Sequence, residues 1–153
     1  MIKTTQKGIW FYGLSGVGKS YASMLSMKYK KNSIIVDGDI VRQYISSDLG
    51  YSKRERNIQI NRMFGIAKII IESGHFPIVS SVWMNKKLSE VLKLNKINLI
   101  KVECDMENIF KNHITYKNKK NVVGKDIKYE NFNSIKIKNE KDNKFWKELK
   151  RLI

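Results

Sequence analysis

Short apolar runs alternate along this chain with longer stretches in which apolar residues recur every three or four positions, the rhythm of strands and helices alternating in a parallel α/β sheet. "GIWFY", Gly8 to Tyr12, reads as the first strand. A helix follows in "SYASMLSMKYKK", where Tyr21, Met24, Leu25 and Met27 or Lys28 fall at helical spacing, and its methionines are expected to fill core. "SIIVDGD" reads as a buried strand ending in two carboxylates. In "GYSKRERNIQINRMFGIAKIIIESG", Ser52 and Glu55 stand at the spacing of a capping box and Gly74 marks the stop, which predicts a long helix between them.

Beyond it, "FPIVSSV" is predicted as a strand with Pro77 near its start, "NKKLSEVLKL" as a helix and "INLIKVEC" as a fourth strand. Asp105 stands where it would cap a short helix running to about His113. From Thr115 to Asn133 the chain is polar, basic and without a period, which predicts a mobile loop more than a packed element. "SIKIK" suggests a last short strand, and "EKDNKFWKELKRLI" an amphipathic terminal helix with Phe145, Trp146, Leu149 and Leu152 on its apolar face. No repeat or interdomain linker interrupts the 153 residues, so one domain over 1–153 is expected.

Composition bounds the partners. A formal charge of +16 would suit a basic nucleic-acid-binding module. The lysines are scattered over almost every segment, however, and heavy use of Lys, Ile and Asn is what A+T-rich coding would produce. Scattered charge makes a solvated surface that speeds encounters with small polyanions. Cys104 is the sole cysteine, so no intramolecular disulfide can form, which fits a reducing cytoplasm. No apolar stretch approaches the roughly 20 residues of a membrane span. The expectation is a cytoplasmic protein with a small-molecule substrate and neither nucleic acid nor membrane as partner.

Candidate chemistry begins at "GLSGVGKS", where Gly13, Gly18, Lys19 and Ser20 spell GxxxxGKS between a strand and a helix. In such a loop the backbone of Gly13, Ser15, Gly16, Val17 and Gly18 wraps a polyphosphate, with Tyr21 adjoining. Lys19 neutralises the β and γ phosphates and the Ser20 hydroxyl ligates Mg²⁺, so ATP with magnesium is the expected ligand. "VDGDIVR" then sets Asp37 and Asp39 at the carboxyl end of the second strand, where ligands sit in open parallel sheets. One carboxylate could orient magnesium through water while the other takes a proton from an attacking hydroxyl, and Arg42 could fork onto a second phosphate. The same pair could instead simply cap the next helix.

Taken in order, "GLSGVGKS", "VDGDIVR", "DLGYSKRERNIQINR" and "GHFPIVSSV", with weaker similarity through "KNVVGKDIKYE", resemble the adenylylsulfate kinase family from about Lys7 to Glu130. The resemblance implies a three-layer P-loop kinase fold with a central parallel sheet, use of MgATP, and phosphorylation of the 3′-hydroxyl of a nucleotide whose 5′-phosphate carries a sulfate. It further implies a homodimer. By position, it makes Lys19 and Ser20 the ATP and magnesium contacts, Asp39 the general base with Asp37 beside it on the metal, and Arg42 and Arg56 the clamps on the substrate's anionic group. Tyr51 stands where the family packs a phenylalanine on the substrate base, Lys120 matches a lid lysine, and Arg62 matches a family arginine that could equally be surface charge.

Departures from the pattern gather at the acceptor side. Gln59 replaces an asparagine that contacts adenylylsulfate, Val82 and Trp83 stand where the family has isoleucine and serine, and His113 replaces a lid-proximal arginine. The lid at about 114–133 is shorter than the family's. A divergent branch resembling these kinases acts on cytidine diphosphoramidate in building capsule phosphoramidate. Because the changes spare the ATP machinery, cytidine 5′-diphosphoramidate is the favoured acceptor and adenylylsulfate the alternative. A nucleic-acid-binding module with an ATP site, and a small-metabolite kinase of the shikimate or gluconate type, also share the glycine loop.

Overall fold

In the computed structural model, which describes residues 5–140 and 142–153, five strands lie in one all-parallel sheet. They are β1 (Gly8–Tyr12), β2 (Ser33–Asp37), β3 (Phe76–Ser81), β4 (Ile97–Glu103) and β5 (Ile135–Lys138), in the spatial order β2-β3-β1-β4-β5. The helices are α1 (Lys19–Tyr29), α2 (Gly38–Tyr44), α3 (Lys53–Glu72), α4 (Lys86–Leu94), α5 (Glu107–Asn112), α6 (Thr115–Asn118) and α7 (Asn143–Leu152).

Alternation along the strands divides the core into two. Ile9 and Phe11 point to a face they share with Ile78, Ile100, Ala22 of α1, and Phe145 and Leu149 of α7. Trp10 and Tyr12 point the other way, to Val79, to Ile60, Met63 and Ala67 of α3, and to Leu88 and Leu92 of α4. This is the three-layer fold expected, and β1, buried along its whole length, lies at its centre.

Local chemistry explains the element ends. Ser52 accepts from the Glu55 amide at 3.3 Å while the Glu55 carboxylate takes the Ser52 amide at 3.1 Å, a complete capping box. Asn85 caps α4 through the Leu88 amide, and Asp142 caps α7 through that of Phe145. Asp105 accepts from the Glu107 amide, although the residue at the N-cap of α5 is Met106.

Two expectations need correction. The buried residues of α1 are Ala22, Ser23 and Ser26, whereas Met24 and Met27 are about half exposed, at 53% and 46%. The helix packs against β2 and β3 mainly through its small side chains, with Leu25 partly buried against the same core, so Tyr21, Met24 and Met27 of its apolar stripe are left about half exposed. The segment from Thr115 to Asn133 is likewise more ordered than a loop without period implies. It carries α6, a parallel bridge from Val123 to Ile127, and buried side chains at Tyr116, Val122 and Val123. The apolar groups that order it lie at irregular intervals, and no periodic signal marks them.

Candidate active site

The carboxyl ends of β1, β2 and β3 stand level. Asp37 is in register with Ser80, and Ser80 with Phe11, so the chain leaving each strand opens onto one cleft of about 770 Å³. Ligand sites of open parallel sheets sit at this edge.

On one wall is the glycine loop between β1 and α1. Gly16 and Gly18 adopt left-handed φ of 88° and 100°, which a side chain would strain. A Cβ at Gly18 would also collide with the Asn139 amide, and one at Gly16 would press on the His113 ring. Asn139 donates to the Val17 carbonyl at 2.9 Å, and the Tyr116 hydroxyl to that of Ser15 at 3.0 Å, so later segments brace the loop from outside. Gly13 and Val17, both expected at the ligand, are buried and do not line the cleft; the Val17 side chain is in the core. Ser15, Gly16, Gly18, Lys19, Ser20 and Tyr21 all line the cleft.

Lys19 reaches back across the loop to the Leu14 carbonyl at 2.8 Å. Burial lowers its pKa to about 8, against the opposing pull of Asp39 and then Asp37. An ammonium so poorly solvated stands to gain from an anion beside it. At the next residue, Ser20 donates to Asp37 Oδ2 at 3.2 Å, and Ser80 donates to the same oxygen at 3.0 Å. The other oxygen of Asp37 accepts from the amides of Asp39 and Ile40 at 2.9 and 3.4 Å. Asp37 therefore caps α2 and also meets Ser20 at the cleft; the capping and site readings are not exclusive. Two hard oxygen donors, Ser20 Oγ and Asp37 Oδ2, suit a magnesium ion completed by phosphate and water. Among the described residues no group of three or more His, Cys, Asp or Glu could form an all-protein cage. Asp39 is exposed at the cleft, and its carboxylate accepts no hydrogen bond from the described residues.

Opposite the loop lie the arginines. Arg42 donates to the Gly50 carbonyl at 2.8 Å, and Arg56 to those of Tyr51 at 3.0 Å and Asn121 at 2.8 Å. Both guanidinium groups lie against the Tyr51 ring, 4.4 and 5.4 Å from its centroid. Burial, with Arg42 close by, draws the Arg56 pKa down from its ordinary value. Among the described residues nothing accepts from Nε or Nη2 of Arg42 or from Nη1 of Arg56, which leaves donors for an anion.

Gln59, 4% exposed, joins α3 to α2 through the Gly38 carbonyl at 3.1 Å. Trp83 is both core and cleft wall: it is 2% exposed, donates to Asn57 at 2.7 Å, and stacks on Tyr129 with centroids 5.8 Å apart. Val82 and Lys120 line the cleft as well. Arg62 does not; it pairs with Asp48 at the surface, and that hydrogen bond holds the Asp48 carboxyl below its usual range. Sequence reasoning overlooked Ser80, Ser81 and Lys119 as parts of the site. The signal for the serines was a polar pair ending an otherwise apolar strand at its carboxyl end.

A family model described as adenylylsulphate kinase matches residues 5–137. The adenylyl-sulfate kinase of Buchnera aphidicola subsp. Schizaphis graminum is 37% identical over 103 residues, 63% of this chain and 49% of the relative. A probable bifunctional SAT/APS kinase 2 of Sorangium cellulosum is 35% identical over 103 residues, 65% of this chain and 18% of that protein. The matched stretch thus spans half or less of these curated relatives. In three dimensions the chain resembles the Mycobacterium tuberculosis APS kinase CysC, solved in complex with AMPPNP and APS, with a TM-score of 0.79 at 20% identity, covering 96% of this chain and 95% of the other.

Proposed function

As this chain belongs to the adenylylsulphate kinase family, we propose that it transfers the γ-phosphoryl group of MgATP to the 3′-hydroxyl of a nucleotide with a modified 5′-phosphate. The observation that carries this reading is the contact of Ser20 with Asp37 across the cleft from the Arg42–Arg56 pair, a triphosphate cradle facing a second anion site. Magnesium, held by Ser20 and Asp37 when bound, would offset charge on the phosphates. Lys19, freed from the Leu14 carbonyl, would lie against the transferring group, where its charge counts most in a site poor in water. Asp39 would take the proton of the attacking hydroxyl as the new O–P bond forms and the bond to the β-phosphate oxygen breaks. Arg42 and Arg56 would hold the acceptor's 5′ group, Tyr51 and Trp83 its base side, and Lys120 would approach from the lid. No covalent enzyme intermediate is needed.

Cytidine 5′-diphosphoramidate is the favoured acceptor, supported by Gln59 and Trp83, which alter the acceptor wall and leave the glycine loop intact. Adenylylsulfate is the second reading, favoured by the adenylyl-sulfate kinase relatives. Offering both nucleotides with MgATP and locating the new phosphate by phosphorus NMR tests the proposal. A 3′-phosphate on either supports it, and a phosphate elsewhere on the acceptor overturns it. The homodimer belongs to the same proposal, and sedimentation of the protein tests it.

A further inference from the structure

The outer face of α1 is apolar where a surface helix is ordinarily polar. Tyr21, Met24, Met27 and Tyr29 are each about half exposed, since the sheet takes up the opposite side of the helix at Ala22, Ser23 and Ser26. Helix α7 extends this surface. Its Trp146, partly buried, meets the Tyr29 ring edge-on with centroids 4.9 Å apart, and Lys150 Nζ stands 5.3 Å from the centroid of the same tyrosine. Tyr21 stacks on Phe145 at 6.5 Å, so the two helices share one continuous face. Its charge has one sign. Lys28 follows Met24 by one turn on α1, Lys150 follows Trp146 by one turn on α7, and Lys147 adjoins that tryptophan; all three lysines are exposed. Helix α1 holds no acidic residue, and the single one of α7, Glu148, lies two residues from both Trp146 and Lys150, which turns it to another side of the helix.

We propose that this face of α1 and α7 rests on an anionic lipid bilayer, with Met24, Met27, Tyr29 and Trp146 at the boundary between headgroups and acyl chains and Lys28, Lys147 and Lys150 on lipid phosphates. Tyrosine and tryptophan favour that boundary because each joins an apolar body to a polar tip. Lysine stems lie along apolar surface while their ammonium groups reach the headgroups. Both helices follow strands of the one parallel sheet and pack on the same side of it, so they can lie flat on the bilayer together. A second copy of the chain is a poor occupant, because pairing this face with itself would set lysine against lysine. The contact involves one leaflet only, for no helix among the described residues is long and apolar enough to cross a membrane.

The test is sedimentation of the full chain with vesicles of phosphatidylcholine alone and of phosphatidylcholine and phosphatidylglycerol in equal parts. The protein should pellet with the anionic vesicles and stay in solution with the neutral ones. Trp10 and Trp83 are buried, so brominated phosphatidylglycerol should quench Trp146 selectively, and Trp146→Phe should lose that quenching. Reversing two charges on the face, Lys147→Glu with Lys150→Glu, should weaken partition about tenfold or more. The same reversal on the other side of the sheet, Lys87→Glu with Lys93→Glu at exposed positions of α4, should change it by less than about threefold. Met24→Gln with Met27→Gln leaves the charge alone and should weaken partition about threefold or more. Thermal unfolding checks that each variant folds. Failure to pellet with the anionic vesicles overturns the proposal, as do absence of Trp146 quenching, an unchanged partition in the methionine pair, and equal losses from the two lysine pairs, which would reduce the attraction to net charge. So does full release of the protein from vesicles by a single-stranded oligonucleotide of equal phosphate content, which would mark the face as one for nucleic acid.

Discussion

At the scale of single residues the cleft divides into charges that must be present and charges that must move. Asp39 is exposed, accepts no hydrogen bond from the described residues and lies beside the capping carboxylate, so it is free to take a proton. Asp39→Asn is expected to lower kcat by about a hundredfold or more while changing the KM for ATP little; unchanged turnover would remove it from the chemistry. Lys19 gives a pH signature. Its lowered pKa of about 8 means that it loses its charge as pH rises through that value, and ATP should then bind more weakly. KM for ATP should climb from about pH 8 upward, and a Lys19→Arg variant, which does not titrate there, should show no such rise. The same shift has a stability consequence of definite sign: the unfolded chain holds the Lys19 proton up to its ordinary range near 10.5, so the penalty for burying that charge is complete below pH 8 and is relieved between about 8 and 10.5. The loop and the carboxylates were legible in the sequence because each is a contiguous motif. Ser80 was not, since its tie to Asp37 exists only once two strands 43 residues apart are in register.

Whole elements position these residues, and α3 matters most because it carries Arg56 and Gln59. Its start depends on the Ser52–Glu55 box. Ser52→Ala should cost about 1 kcal/mol, seen as a fall of about 2–4 °C in Tm, with a raised KM for the acceptor as the first turn loosens around Arg56. Strands and helix caps could be read from sequence, for hydrophobic alternation and capping are local rules. The face of α1 could not. Period alone sees an apolar stripe and cannot know that the sheet meets this helix chiefly at Ala22, Ser23 and Ser26. Hence Ser26→Leu, at a fully buried site, should destabilise by about 1–3 kcal/mol. Met24→Gln, at a half-exposed one, should stay within about 0.5 kcal/mol. Equal effects in denaturant unfolding would return the methionines to the core.

Across the whole molecule the excess of positive charge has a kinetic reading. With +16 overall and both proposed ligands anionic, attraction should speed their capture. Raising salt from about 0.05 to 0.5 M should reduce kcat/KM several-fold with a smaller effect on kcat, and insensitivity to salt would mean that the surface charge is inert. The α/β class was readable from alternating periods. The strand order was not, because local patterns carry no information on which strands become neighbours.

That order leaves a mark on how the protein is made. Both neighbours of β1 are encoded after it, and the nearer, β3, ends at Ser81. A ribosome working at ordinary speed needs about 4–14 s to add the intervening stretch. Throughout that interval "GIWFY" emerges as a sticky ribbon with nothing to lie beside, so the stretch that leads into the nucleotide cradle is also the nascent chain's most vulnerable passage and a natural stop for a chaperone.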